Sequence, residues 1–561
     1  MLLEKFNHGR QPAARMVEHS AAGCYVIIHF GLNTYTDKEW GYGNADPALF
    51  NPVNFDANQW AQTCKDCGFD GLILVCKHHD GFCLWPTETT DYNISRSPFR
   101  NGRGDLVREV SDACRACGIK MGFYCSPWDR HDADYGTDKY VRKFQQQIRE
   151  LLTNYGEAFE MWFDGANGGD GWYGGKEEKR TIDNSTYYRW EETFEIVRTL
   201  QPNAAIFSNV GPDLRWVGNE KGFADAEMFG CITPRIMPNL PGTEPLLGNT
   251  DYTHSPFGDA DGRFYMPPEC DVPLRPGWFY HAREDKVARS CAKLIDIYLR
   301  SAGCGGFLNL GLAPAPDGRL HPNDVMRLQE FKAAQDKLFE DCIFSGEKAV
   351  ENNSLTIDLP ENRQFNLLEL SEGIASEEKV TAYQIYLDNS SGRSVLLSGK
   401  AIGRRRLKKL SESVSGKTLT IAFENSTAVP EKLSIKLFNA QFPVEIKGEN
   451  EVGNLVNYPL KDIKEWYFEL DAPGDITGFI FTPCSEAPAG TPTHYRFLVK
   501  NHNDEFVPLC EGEFSNIQAN PIPQQVMFSR CFIVWKFKLE ITSTLYDAEP
   551  CGVNLALIRE E

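Results

Sequence analysis

The chain has 561 residues, 42% of them hydrophobic, enough to bury roughly three or four ordinary cores or one large barrel with smaller modules. Its 58 basic and 78 acidic side chains leave a net charge of −20, which disfavours nucleic acid and anionic membranes as partners, because phosphate binding needs a cationic face. No run approaches the roughly 18 consecutive apolar residues of a membrane-spanning helix.

The first segment, MLLEKFNHGRQPAARMVEHS, lacks the apolar stretch of a signal peptide. It reads as the start of a cytoplasmic chain, or of a secreted or periplasmic one whose leader has been removed. A strand is expected at YVIIHFG (25–31). Two stretches then repeat one pattern, CKDCGFDGLILVCKHHDG (64–81) and CRACGIKMGFYCSPWDR (114–130). Both read as a helix end, a glycine, a short apolar strand and then polar residues. Glycine suits the left-handed residue that closes a helix. A continuous apolar run suits a parallel strand covered on both faces. Similar strands are expected at AFEMWFDGA (158–166), AAIFSNVG (204–211) and GGFLNLG (305–311), with helices at 139–156 and 187–200. This alternation predicts an α/β barrel over residues 1–340, (β/α)8-like and TIM-type, a fold that typically takes ~250 residues and more with insertions. The 17 cysteines are odd in number and scattered, unlike a disulfide framework. Cys64/Cys67 and Cys114/Cys117 are too far apart for a zinc ribbon and are expected to be buried or half-buried thiols.

Beyond residue 340 the character changes. NSLTIDLP, FNLLELSE, TAYQIYLD, KTLTIAFEN and KLSIKLFN are short strands separated by turn signals, as are EWYFELD, ITGFIFTP, HYRFLVKN and FIVWKFKLEITS further on. They predict two antiparallel β-sandwich modules, at 341–443 and 444–561. The basic run GRRRLKKL (403–410) is expected to be a solvated strand or turn. NGGDGWYGG (167–175) lacks the lysine of a phosphate loop and is expected as an irregular loop over the barrel mouth.

The expected strands end in His29, His78 and His79, Tyr124, Asp164 and Asn209. In a barrel these ends converge on one mouth, where active sites lie. His78, His79 and Asp80 are adjacent, but neighbouring strand residues face opposite ways, and no HExxH spacing is present, so metal chemistry is poorly supported. A glycoside hydrolase needs two carboxyl groups and polar groups that grip hydroxyls. Trp40, Trp85, Trp128, Trp162 and Trp216 lie near strand ends and offer faces for sugar rings. A non-catalytic carbohydrate-binding protein is the alternative of another class.

Residues 10–340 closely resemble the family 29 glycoside hydrolases, the retaining α-L-fucosidases. The resemblance rests on IIHFGLNTYTDKEWGYG (27–43), KHHDGFCLWPT (77–87), GFYCSPW (122–128), MWFDGA (161–166), GPDLRWVGNEKG (211–222), PGWFYH (276–281) and GGFLNLGLAPAPDGRL (305–320). WGYG, RWVGNE and GWFYH are similar to the branch that removes α-1,3- and α-1,4-linked fucose from Lewis-type glycans; broad or α-1,2 preference is the alternative. The resemblance implies Asp164 as nucleophile, a fucose pocket lined by His29, Glu39, Trp40, His78, His79, Tyr124 and Trp162, and Trp278 closing it. Arg215 and Trp216 are expected near the leaving sugar. Glu220 is the match for the acid/base, with Glu227, Glu244 and Glu269 as rivals. The implied substrate is a fucosylated oligosaccharide or glycoconjugate, with no cofactor and no metal. GEFSNIQANP and NLALIRE look like parts of a galactose-binding or discoidin-type module.

Overall fold

A computed structural model describes residues 2–235, 250–373, 375, 377–424, 428–444, 454–460 and 466–560. Eight parallel strands form the N-terminal part: β1 (Cys24–Ile28), β2 (Gly71–Lys77), β3 (Lys120–Cys125), β4 (Glu160–Trp162), β5 (Ala205–Phe207), β6 (Arg215–Trp216), β7 (Pro268–Pro273) and β8 (Phe307–Leu312). Their order is β5-β4-β3-β2-β1-β8-β7-β6. A parallel bridge from Phe207 to Leu214 brings the two edges together, so the barrel is nearly closed. β1 is buried throughout and sits between β8 and β2, with Val26 opposite both Leu310 and Leu72. That double coverage is why its sequence is a continuous apolar run.

Among the described residues, six α-helices of nine or more residues line the outside: α1 (Ala57–Asp66), α2 (Leu106–Cys117), α3 (Asp138–Asn154), α4 (Trp190–Leu200), α5 (Cys291–Leu299) and α6 (Pro322–Phe339). Asp56 and Asp105 cap α1 and α2 by accepting backbone N–H bonds, and Gly118 closes α2 at φ 70°. The expected eight-helix ring is incomplete among the described residues. β5 passes to β6 without an α-helix, and none lies among the described residues between β6 and β7. The segment NVGPDLRWVGNEKGF has glycines and a proline but no apolar period of 3.6, so it cannot form an amphipathic crossover. The four thiols of the two CxxC pairs are buried, except Cys117, which is half-buried.

Two four-stranded antiparallel sheets follow. One runs Cys342–Ala349, Lys432–Phe438, Phe365–Ser371, Arg406–Val414; the other runs Ser354–Asp358, Thr418–Phe423, Tyr383–Asn389, Gly392–Gly399. Alternate residues, such as Leu433, Ile435 and Leu437, fill the core between them. The last strands join in one six-stranded antiparallel sheet around a separate core rich in phenylalanine. Two of them, Tyr467–Thr482 and Gln524–Thr544, are long and broken by register shifts, which bend the sheet.

The basic run at 403–410 is largely buried rather than solvated, with only Lys409 exposed. Arg404 donates to the carbonyls of Ser20, Gly305 and Gly306, and Arg406 to those of Ala226 and Met228. Arg405 bonds Tyr298 and Glu369, and Lys408 pairs with Glu227. The run fastens the first sandwich to the barrel. Its arginines supply donors to carbonyls left open where barrel strands and loops end.

Candidate active site

The polar strand ends meet at the carboxyl end of the barrel. Asp164 follows β4 and turns sharply, its Oδ1 accepting the Ala166 N–H at 2.7 Å. Its Oδ2 accepts the hydroxyl of Tyr124 at 2.9 Å. His79 Nε2 lies 3.9 Å from Oδ1. The floor is aromatic: Trp162 stacks between Tyr124, at 4.9 Å, and Phe207, at 4.2 Å.

His78 and His79 sit side by side, their ring centroids 4.1 Å apart. They lie beyond the last residue of β2, Lys77, so the alternation of a strand no longer separates them. His29 joins them, 5.7 Å from His78 and 5.0 Å from Trp278. All three imidazoles are kept neutral. Burial lowers His29 to about 3, with help from His79, and lowers His78 well below its usual range. Burial also lowers His79, to about 4, against the opposing pull of Asp164. The tautomer of His79 follows from its partner. Ser126 donates its hydroxyl to the Trp128 carbonyl and therefore accepts from His79 Nδ1, at 2.8 Å. His79 Nε2 is left as a lone-pair acceptor facing the pocket.

Glu39 is buried, and its carboxylate is fully engaged by protein. It accepts the backbone N–H groups of Trp278, at 2.8 Å, and Phe279, at 3.0 Å, and a bond from His281 at 3.0 Å. Burial would lower His281, but its bonds to Asp37 and Glu39 and the charge of Glu284 outweigh burial and hold it near 9. Glu39 thus fixes the Trp278 loop. Trp40 is half exposed on the rim, edge-on to His79 with ring centroids 5.1 Å apart. Trp128 is buried behind it, whereas Trp85 lies in the core, bonded to Glu150.

Glu220 lies after β6, half-buried beneath Trp278. Its Oε2 accepts the Trp278 indole N–H at 2.7 Å and the Asn516 amide at 2.6 Å. Burial raises this carboxyl to about 7 against those bonds, and the nearby charges of Asp164 and Glu39 add to the rise. Two of its rivals stand elsewhere. Glu227 pairs with Lys408 in the first sandwich. Glu269 is fully buried inside the barrel, bonded by Tyr25, Trp162 and Asn309. Glu244 lies outside the described residues.

Arg215, expected beside the leaving sugar, is engaged by backbone carbonyls. On β6 it alternates with Trp216, whose ring faces the mouth, 4.8 Å from Tyr252. The Arg215 guanidinium is buried and donates to the carbonyls of Phe229, Gly230, Ser255 and Met266. Each buried carbonyl left without a donor costs about 1–3 kcal/mol. Arg215→Met is therefore expected to lower the melting temperature by several degrees, with KM for an aryl fucoside unchanged in the folded protein. A raised KM with an unchanged melting curve would return Arg215 to the sugar site.

Asn516, His281 and Ser126 are not among the expected site residues, although Ser126 lies in GFYCSPW and Asn516 in GEFSNIQANP. Asn516 and Glu220 are 296 positions apart. His281 lies in the quoted GWFYH stretch, but nothing there shows that it holds Glu39.

Comparisons with known proteins agree with this geometry. The family described as alpha-L-fucosidase matches residues 15–333. Alpha-L-fucosidase 1 of Arabidopsis thaliana is 34% identical over 454 residues, 75% of this chain and 85% of that protein. A glycoside hydrolase 29 family member from an unknown rumen bacterium superposes with a TM-score of 0.73 at 34% identity, covering 99% of this chain and 100% of its own. A Ruminococcus gnavus family 29 fucosidase solved with fucose shares the fold, with a TM-score of 0.64 at 24% identity, over 77% of this chain and 95% of its own. With two carboxyl groups facing one pocket of neutral histidines and aromatic rings, the chain belongs to the α-L-fucosidase family, glycoside hydrolase family 29, and is an α-L-fucosidase.

Proposed function

We propose that this α-L-fucosidase is a retaining exo-enzyme that releases terminal fucose from α-1,3- and α-1,4-fucosylated glycans by double displacement. The observation behind the two roles is the unequal setting of two carboxyl groups in one pocket. Asp164 accepts bonds from Tyr124 and the Ala166 N–H, which aim it. Glu220 is pushed up to about 7 by burial, and so keeps a proton to give. Asp164 attacks C1 while Glu220 protonates the departing glycosidic oxygen. Glu220 then takes a proton from water as that water attacks C1 and frees Asp164. His79 Nε2 accepts a sugar hydroxyl in this reading, with His29 and His78 as further neutral partners. Trp40 and Trp162 suit the apolar methyl group and C–H face of fucose.

The linkage preference is supported by how two quoted stretches meet: RWVGNE supplies Glu220, GWFYH supplies Trp278, and the two bond each other. Trp216, Tyr252 and Trp278 are then available to a branched leaving glycan. Remote contacts of that kind raise kcat/KM through the transition state. A digestion panel tests both parts. Lewis-type trisaccharides and 3-fucosyllactose are expected to be cleaved at least ~10-fold faster than 2′-fucosyllactose, the effect of about 1.4 kcal/mol. Proton NMR of the first-formed sugar is expected to show α-fucose. Equal or faster cleavage of 2′-fucosyllactose would overturn the linkage preference, and β-fucose appearing first would overturn retention.

A further inference from the structure

The C-terminal six-stranded module reaches into the mouth of the barrel. The contact is made by the segment after strand Phe506–Glu513. Gln524 holds that segment from within, donating to the Ser515 carbonyl, and the Asn520 N–H closes it onto the Asn516 carbonyl at 2.8 Å. Besides the Asn516 bond to Glu220, four hydrogen bonds tie it to the barrel. Glu513 accepts the Glu39 N–H at 2.5 Å. Arg283 donates at 3.0 Å both to the Glu513 carbonyl and to the Ser515 hydroxyl. Asn520 donates to the Pro276 carbonyl at 3.3 Å. Gly277 permits the approach: a Cβ there would stand 2.9 Å from the Ser515 Cβ and 2.4 Å from Glu39 Oε1.

We propose that Asn516, delivered by this module, is a positioning residue that fixes which oxygen of Glu220 carries the transferable proton. The inference rests on Glu220 being the acid/base. Two N–H donors, from Asn516 and Trp278, fall on the same oxygen, Oε2. A carbonyl-type oxygen has two lone pairs, so Oε2 is saturated as an acceptor. A proton placed there would face two donors and have no acceptor from them. The protonated acid therefore carries its hydrogen on Oε1. In the first step the Oε1–H bond breaks, the proton passes to the glycosidic oxygen as the C1–O bond breaks, and the electron pair stays on Glu220. The two N–H groups stabilise the carboxylate that results. In the second step Oε1 takes the proton of the attacking water, and the acid is restored. Trp278 alone fills one lone pair of Oε2 and leaves the proton two sites to choose between.

Asn516 also acts on the titration of Glu220. The other charged or titratable groups that it feels are Asp164 after β4, Glu39 after β1 and Asp271 on β7. These like charges remain when Asn516 is changed. Removing a donor from the carboxylate destabilises its charged form.

The test uses the full-length enzyme and Asn516→Leu, which removes the donor without opening space for water. The alkaline limb of kcat/KM is expected to move upward by about half a pH unit or more. Cleavage of a Lewis-type trisaccharide, whose leaving group needs the proton, is expected to fall ~10-fold or more, and that of a 2,4-dinitrophenyl fucoside much less. Asn516→Asp is near-isosteric, introduces a like charge and is expected to move the limb the same way, so it serves if the leucine variant does not fold. Asn520→Leu is the structural control: it loosens the docking, lowers the melting temperature and leaves the limb in place. An unmoved limb in the Asn516 variants, with both substrates slowed by one factor, would overturn the proposal. Azide rescue of Glu220→Gly separates the two readings. Rescue with an unmoved limb removes only the role of Asn516, whereas no rescue removes the acid/base reading and this inference with it.

Discussion

Asp164→Gly is expected to abolish turnover of every fucoside, aryl and glycan alike, by ~10⁴-fold or more, since no covalent intermediate can form. No other described carboxyl group is placed to substitute. Glu39 has both oxygens bonded to the Trp278 loop and His281. Glu160, Glu269 and Asp271 are buried within the barrel, and burial raises Glu160 and Asp271 well above the usual carboxylate range. The glycine leaves space beside Tyr124, on the face from which Asp164 would attack. Azide entering that space is expected to displace the leaving group of an activated aryl α-fucoside directly, with Glu220 still present. One inversion gives β-fucosyl azide. Steady-state rates with and without azide, and NMR of the product, check this. A variant that still hydrolyses glycans at a substantial fraction of the parental rate, with no azide product, would remove Asp164 from the nucleophile's place.

The barrel was legible where its strands are apolar and covered on both faces, as at Cys24–Ile28 and Phe307–Leu312. It was not legible at Pro268–Pro273, which lies wholly buried yet reads PECDVP. Glu269 and Asp271 point into a polar barrel interior, bonded there by Asn309, and two carboxylates in a short run look like a surface loop. Arg215–Trp216 is too short a strand to show a period. Asp164 and the three histidines stood out as candidates because a polar residue ending a buried strand is conspicuous. The basic run at 403–410 misled because charge suggests solvent, whereas arginine also serves buried carbonyls, as at Arg404 and Arg406. Asn516 could not be found, because its role exists only once two distant modules meet.

Glu220→Gly is expected to separate substrates by their leaving groups. A sugar alkoxide leaves poorly without a proton, so cleavage of natural glycans should fall by the general-acid factor, ~10²–10⁴-fold. A dinitrophenolate needs little protonation, so Asp164 should still form the glycosyl-enzyme from the aryl fucoside. That intermediate should then accumulate, because water lacks its base. The pH profile should change as well. In the parent enzyme Glu220 must be protonated to act as acid, and burial holds it at about 7, so kcat/KM on glycans should fall as pH rises through that region. In the variant that alkaline limb should vanish for the aryl substrate. Azide needs no base and should break the ester between C1 and Asp164 from the opposite face. Two inversions then give α-fucosyl azide, the opposite anomer to that expected from Asp164→Gly. The pair of variants thus assigns both carboxyl groups in one experiment. The same anomer from both, or equal slowing of aryl fucoside and glycan by Glu220→Gly without any azide product, would move the acid/base role to another residue.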